Sequence, residues 1–347
     1  MPKGKGLKSS RFYFELPGEL IAQYPAGKRG ESRLLVYDRK KNKTAHTKVK
    51  NLTDFLDSGN LLVFNNTRVR KARLFGISQN GGKTEFLLLS ELGPRSWAVL
   101  CSKSKKHHSG KVFSFPGNVK GEILKPEKGS TSEKILLFDS PVDNSYLEKY
   151  GHVPLPPYIK REDNESDSER YQTVYSRITG SCAAPTAGLH FTEDILNSIK
   201  KTGADICFIT LHVGRGTFEP LRSENVEDHV MHEETYEISE ETANKINTAK
   251  QCGKKIMAVG TTSLRALESS GSKGIIKPGK NSTSLFIYPG YSFRQADQLF
   301  TNFHTPDSTL MLLVSAFGGT GKIKELYSEA VRNNYRFYSY GDAMCIL

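Results

Sequence analysis

Between Arg73 and Asp143 helix signals nearly vanish, while the stretches on either side alternate strand and helix patterns. Within this segment short runs rich in aromatic and branched residues recur: Thr84–Leu89, Trp97–Cys101, Val112–Phe115, Gly121–Leu124 and Lys134–Phe138. Clusters of Gly, Pro, Asn and Ser separate them. Several short strands at such spacing predict a small antiparallel β-barrel. Because the barrel pattern interrupts an α/β pattern, the expected organisation is a discontinuous α/β domain, residues 11–72 and 150–347, with a barrel domain inserted at 73–149. The chain has 347 residues, enough for two cores, since a single core stops growing near about 250–300 residues. Residues 1–10 are basic and read as a flexible extension.

In the α/β part, Arg33–Asp38 and Asn60–Phe64 are short continuous apolar runs, as in strands buried on both faces. Thr192, followed by Glu193 and Asp194, is a helix N-cap, and Gly203 ends that helix. Asp205–His212 reads as a strand. Ser239 caps a second helix running to Cys252 and stopped by Gly253. Strands follow at Ile256–Val259 and Leu285–Tyr288, with helices at Thr262–Ser269, 309–316 and 322–333. Strands alternating with helices predict a parallel or mixed sheet, which the first two strands should join.

Lys and Arg outnumber Asp and Glu by 49 to 37, a formal charge of +12. Such an excess favours a polyanionic partner. The five cysteines are scattered with no CxxC pair, which points to neither a zinc ribbon nor a disulfide framework. The first residues lack the apolar stretch of a signal peptide, and no run approaches the ~18 apolar residues of a membrane span. The chain is therefore expected to be soluble and cytoplasmic. The acidic run Glu162–Glu169 and the basic run Lys103–Lys111 are both expected to be solvated loops, the latter with a phosphate-backbone contact as its alternative.

Three familiar signatures nearly appear and fail. Gly214-Arg215-Gly216 starts a dinucleotide fingerprint, but Glu219 stands where the third glycine belongs. Gly319-Thr320-Gly321-Lys322-Ile323 resembles a phosphate loop, yet Ala316 and Ile323 occupy the required Gly and Ser/Thr positions. His232-Glu233-Glu234-Thr235-Tyr236 has Tyr236 in place of the second zinc-binding histidine. His190, His212, His229 and His232 lie close in sequence, with His304 further on, but their spacing matches no ligand pattern, so no metal is expected. Gly260-Thr261-Thr262-Ser263-Leu264-Arg265 is more informative. A glycine turn there leads from a strand into a helix N-terminus carrying hydroxyls, which suits an anion or carboxylate; a plain cap with a surface ion pair is the alternative.

Three dense runs remain: 151–161 (GHVPLPPYIKR), 183–192 (AAPTAGLHFT) and 211–218 (LHVGRGTF). In the last two, charge is scarce while Gly, Thr and His crowd together, the composition of tight polar turns at strand ends. Together with Phe12–Pro17, Leu20–Gln23, Asn65–Val69, Gly260–Glu268, Tyr288–Tyr291, Thr301–Pro306, Ser315–Phe317 and Tyr340–Met344, they make the chain closely resemble the S-adenosylmethionine:tRNA ribosyltransferase-isomerases of the queuosine pathway. The resemblance runs from residue 11 to 347 and thins between about 75 and 148. Asn66 departs from the Asp of the family's Asn-Asp-Thr-Arg run, Arg215 replaces a small residue, and Cys182 replaces an apolar one.

The resemblance implies an α/β domain with an inserted six-stranded barrel, and transfer of the ribosyl part of S-adenosylmethionine to 7-aminomethyl-7-deazaguanine at the tRNA wobble position. Adenine and methionine leave, and the product is epoxyqueuosine. S-adenosylmethionine is then a co-substrate, no cofactor is held permanently, and the partner is the anticodon arm of tRNA, met by a monomer. The sulfonium acidifies the C5′ protons, so a base must reach them. His190 and His212 are the expected acid/base residues, with Asp342 as a third. Thr261, Thr262 and Arg265 are expected to take the methionine carboxylate. Arg68 and Arg215 are expected to hold tRNA phosphate or a substrate carboxylate. Thr186, Gly188, Gly214, Gly216 and His304 complete the expected substrate site. Competing readings are a methyltransferase using the same cofactor, which should show a Gly-rich loop after its first strand, a non-catalytic tRNA-binding protein, and a small-molecule metalloenzyme.

Overall fold

A computed structural model of the chain describes residues 6–125, 133–214, 221, 223–272, 274–306 and 308–347. It opens with β1 (Arg33–Asp38), β2 (Lys43–Lys48), β3 (Asn60–Asn65) and the short β4 (Thr67–Val69). Six strands follow: β5 (Arg73–Ser78), β6 (Lys83–Gly93), β7 (Ser96–Cys101), β8 (Val112–Phe115), β9 (Val119–Leu124) and β10 (Lys134–Phe138). They close into an antiparallel barrel in the order β10-β7-β6-β5-β8-β9. Side chains alternate along each strand, so Phe86, Leu88, Trp97, Val99, Phe113, Phe115, Leu136 and Phe138 fill the interior.

The chain returns through α1 (Asn144–Tyr150), capped by the Asp143 carboxylate, which accepts from the Tyr146 N–H at 2.9 Å. There follow α2 (Glu165–Arg170), β11 (Ile178–Ser181), which pairs with β4, α3 (Glu193–Lys201), β12 (Asp205–Leu211), β13 (Glu234–Ile238), α4 (Glu240–Gln251), β14 (Lys255–Val259) and α5 (Thr261–Ser270). A two-residue pair, β15 (Gly271–Ser272) and β16 (Ile275–Ile276), precedes β17 (Gly279–Thr283), β18 (Gln298–Asn302), α6 (Thr309–Gly318), α7 (Thr320–Arg332) and β19 (Ala343–Ile346).

The main sheet has nine strands in the order β17-β13-β12-β3-β14-β18-β19-β1-β2. Its centre, β12-β3-β14-β18, is parallel. β19 lies between β18, to which it is antiparallel, and β1, to which it is parallel. Alternation divides the core into two layers. Leu61, Val63, Ile209, Ile256, Ala258 and Leu299 meet α4 to α7 on one face. Leu62, Phe64, Met257, Val259 and Phe300 meet α3 on the other. The fold is thus an α/β unit on a mixed sheet with an inserted six-stranded antiparallel barrel. Among the described residues no helix is long and apolar enough to cross a membrane.

Three local expectations change. Leu285–Tyr288 is not a strand; the edge strand is the polar Gly279–Thr283, while Leu285 to Tyr288 pack on the core as coil. The acidic run is not a solvated loop from end to end. Asn164 and Asp167 form a capping box that starts α2, and Asp167 is fully buried. Its carboxylate accepts from Arg161 at 2.6 and 2.8 Å, from the Tyr340 hydroxyl at 2.7 Å and from the Asn164 N–H at 3.0 Å. Of the basic extension, residues 1–5 lie outside the described residues, but Leu7 and Lys8 are tied down. The Leu7 N–H donates to the Glu227 carboxylate at 3.0 Å, and Lys8 pairs with Glu224 at 2.7 Å.

Candidate active site

Parallel strands deliver their carboxyl ends to one edge of a sheet, where an α/β fold builds its sites. Here β14 ends at Val259, Gly260 turns the chain at φ 91°, a left-handed value that favours glycine, and α5 begins. β18 ends in Thr301 and Asn302, and β19, running the other way, brings the turn at Tyr338–Asp342 to the same edge. The loop 183–190, whose last five residues form a 3₁₀ turn, packs beside them. Together they enclose a cavity of about 280 Å³.

Its floor is the start of α5. Gly260, Thr261 and Thr262 line the cavity, and helix geometry leaves the first N–H groups without intrahelical acceptors. Asn65, at the end of β3, fixes this corner. Its side-chain amide donates to the Leu211 carbonyl at 2.9 Å and to Thr262 Oγ1 at 3.3 Å, and its carbonyl accepts from the Leu211 N–H at 3.0 Å. One wall is aromatic. Tyr158 and Tyr338 pack with ring centroids 4.4 Å apart, and the Tyr158 hydroxyl hydrogen-bonds to Ser339 Oγ. Tyr338 has φ 72°, a conformation that costs a non-glycine residue energy.

Asn302 is the most telling polar group. Its side-chain N–H₂ donates to His190 Nε2 and to the Tyr338 carbonyl, both at 3.1 Å. Its Oδ1 is buried with no partner among the described residues. A bare acceptor in a cavity wall waits for a donor, because an unpaired buried polar atom costs about 1–3 kcal/mol. His304 lines the same cavity, with Nε2 2.9 Å from Thr301 Oγ1. Burial pushes its imidazole down to about 3, so it is neutral.

The expected site residues divide. Thr186, Thr261, Thr262 and His304 line the cavity. His190 does not line it, reaches it through its bond to Asn302, and is held near 4 by burial. His212 stands next to the lining residue Val213, with Nδ1 2.8 Å from Thr67 Oγ1; burial, Lys280 and Arg70 lower its pKa. Asp342 does not line the cavity. Its oxygens are spent on the N–H groups of Arg33 and Arg336, at 2.9 and 2.8 Å, and on the Arg33 guanidinium. Arg265 does not line the cavity; buried, it pairs with Glu234 and donates to the Leu285 carbonyl at 3.0 Å, while its Nη2 has no partner among the described residues. Glu234 in turn accepts from the Gly214 N–H at 3.0 Å, which fixes the end of the 211–214 segment. Gly188 is required by packing, since a Cβ there would stand 2.1 Å from the Tyr175 hydroxyl oxygen. Arg68 lies on the surface, away from the cavity lining. Arg215 and Gly216 lie outside the described residues. Cys182 is no nucleophile, because burial pushes its thiol up to about 11. Among the described residues, no three His, Cys, Asp or Glu side chains gather as metal ligands.

Residue patterns alone missed Tyr158, Asn302, Tyr338 and Ser339. Asn302 fell within a run singled out above, but nothing in its neighbours marks an unpaired oxygen. Nothing about a tyrosine announces a positive φ.

A family model described as "Queuosine biosynthesis protein" matches residues 9–346. An S-adenosylmethionine:tRNA ribosyltransferase-isomerase of Borreliella afzelii is 48% identical over 346 residues, 98% of this chain and 99% of that protein. One from Acetivibrio thermocellus is 48% identical over 345 residues, 98% of this chain and all of its own length. The crystal structure of the S-adenosylmethionine tRNA ribosyltransferase of Thermotoga maritima is similar at 33% identity with a TM-score of 0.56, covering 97% of this chain and 100% of that one.

Proposed function

The chain belongs to the queuosine-biosynthesis family of S-adenosylmethionine:tRNA ribosyltransferase-isomerases, and on that premise we propose that it transfers and isomerises the ribosyl group of S-adenosylmethionine onto 7-aminomethyl-7-deazaguanine in tRNA. Adenine and methionine are released and epoxyqueuosine is formed. The observation that carries this reading is the cavity itself, with a helix N-terminus, an aromatic wall and an unpaired acceptor converging at the strand ends.

The α5 N-terminus with Thr261 and Thr262 takes the methionine carboxylate, as a helix N-terminus favours an anion. Tyr338, backed by Tyr158, stacks on adenine, and Asn302 Oδ1 accepts a hydrogen bond from the substrate. His190 is a positioning residue here: it fixes the Asn302 amide so that Oδ1 faces the cavity. The C5′ protons beside the sulfonium need a base, and His212, oriented by Thr67 and kept unprotonated by its surroundings, fills that role. His304, neutral and on the wall, hydrogen-bonds to the departing adenine. The C5′ proton goes to the base; the aminomethyl nitrogen bonds to C1′ as adenine leaves, and the C5′ carbanion bonds to C1′ as the ring oxygen lets go. That oxygen then closes the epoxide on C5′ while methionine departs with the electrons of the carbon–sulfur bond. Of the two protons released, from C5′ and from the amine, one neutralises adenine and the other passes to solvent. The barrel, 73–149, acts as a separate domain beside the α/β domain, 11–72 and 150–347, in a cytoplasmic monomer that binds the anticodon arm.

The test is a product assay with S-adenosylmethionine and tRNA carrying the aminomethyl-deazaguanine. Adenine and methionine should appear, and the tRNA nucleoside should gain the mass of an epoxycyclopentanediol. Release of S-adenosylhomocysteine would move the protein to the methyltransferases.

A further inference from the structure

A second, smaller cavity of about 100 Å³ opens where β4 leaves the α/β unit for the barrel. Its lining includes Arg68, Arg70, Lys71, Ser168 and Glu148. Arg68, Val69 and Arg70 all line it, and Val69 is anchored in a small apolar cluster. The backbone between them is clamped. Gln172 accepts from the Val69 N–H at 3.0 Å and donates to the Val69 carbonyl at 2.7 Å, and the Arg70 N–H donates to the Ser181 carbonyl at 3.1 Å.

Neither arginine forms an ion pair with a described residue. Arg68 makes one long hydrogen bond, 3.4 Å to Ser176 Oγ. Arg70 lies over the Trp97 ring at 5.0 Å, and its Nε is buried without an acceptor. Lys71 is 3.2 Å from Glu148, the only carboxylate in the lining, so the cavity carries two uncompensated positive charges. Two guanidiniums without carboxylate partners, one with an unmet buried donor, suit a tetrahedral oxyanion. A volume of about three waters suits one phosphate group.

We propose that this cavity binds a backbone phosphate of an RNA strand whose target base enters the larger cavity, a reading that rests on RNA being the substrate. Two features favour a polymer over a free ion. Val69 and Val153, beside the phosphate cavity, share one apolar cluster with Ala184, which lines the larger one. Outside, β11 pairs with β4 and presents Ile178, 46% exposed, while Arg177 next to it is also exposed. That is a surface for ribose and further phosphates.

The experiment measures binding of an unmodified tRNA transcript as a function of salt, for the wild type, Arg68→Gln, Arg70→Gln and Glu148→Gln. Each arginine variant should weaken binding about tenfold, and the Arg68→Gln, Arg70→Gln double variant, which releases the one phosphate, should reduce the slope of log K against log salt by about 0.7–0.9. Glu148→Gln should tighten binding several-fold, an outcome that misfolding cannot mimic. An unchanged slope in the double variant, or an unchanged affinity in Glu148→Gln, overturns the proposal. So does stabilisation of the wild type by inorganic phosphate that is lost in the variants while their RNA binding is intact. If the variants lose RNA binding but the wild type releases no adenine, the phosphate site stands and the ribosyl-transfer reading fails.

Discussion

Replacing Tyr338 by glycine should separate what this residue does for the fold from what it does for the ligand. At φ 72° the tyrosine sits in a left-handed conformation, worth roughly 1–2 kcal/mol of strain that glycine relieves. Against that stand the packing on Tyr158, at a centroid distance of 4.4 Å and about 0.5–1.5 kcal/mol, and the extra chain entropy of glycine, about 0.5–1 kcal/mol. The ring also packs, half buried, on the core, and the area it takes from water adds a further loss of about 1–2 kcal/mol, so unfolding in urea should show a cost of about 1–3 kcal/mol. Binding should suffer separately. Losing an aromatic wall under a base costs about 1–3 kcal/mol, so the Kd for S-adenosylmethionine by calorimetry should rise roughly 5- to 150-fold. A variant that binds as tightly as the wild type would refute the stacking role. One destabilised by several kcal/mol would show that Tyr338 is kept for the fold instead.

Acid should destabilise the protein in a defined window. His304 and His190 are neutral in the fold, held near 3 and 4 by burial, whereas an unfolded histidine titrates near about 6.5. The unfolded chain therefore binds more protons between those values, and stability falls by about 1.4 kcal/mol per pH unit for each imidazole as pH drops below about 6.5. Urea unfolding at several pH values should show this, and His304→Gln should remove about 1.4 kcal/mol per pH unit from the slope. Asp167→Ala leaves the Arg161 guanidinium without its carboxylate and should cost about 3–5 kcal/mol in equilibrium unfolding; a loss under about 1 kcal/mol would mean that water takes over the pairing. Gly188→Ala places a methyl against the Tyr175 hydroxyl and should cost about 1–3 kcal/mol, read as a lower Tm.

The features legible in the sequence are those set by local pattern. The continuous apolar runs of β1 and β3, the Thr192 and Ser239 caps and the glycine before α5 are all short-range signals, and each marks an element that is present. β18 and β19 were not expected: β18 holds only two adjacent apolar residues, Leu299 and Phe300, and the four residues of β19 are too few to tell strand from helix. In the site, Thr261 and Thr262 were legible because a strand, a glycine and hydroxyls spell a helix N-terminus. Asp342 and Arg265 lie off the cavity lining, which the sequence could not show, because polar residues near Gly-rich turns look alike whether they face a ligand or another side chain. Only the fold shows Asp342 saturated by Arg33 and Arg336, and Asn302 Oδ1 left bare.

The position of β19 bears on how the protein is made. β1 emerges early in synthesis, and β2, polar and rich in lysine, can cover one of its edges at once as a hairpin. The other edge, along Leu34 to Tyr37, has its parallel partner only in Ala343–Ile346. At about 5–20 residues per second, a ribosome takes roughly 15–60 s to bridge that gap in the chain. For that interval an apolar strand edge stays open on the nascent chain. β19 can therefore join the sheet only near the end of assembly.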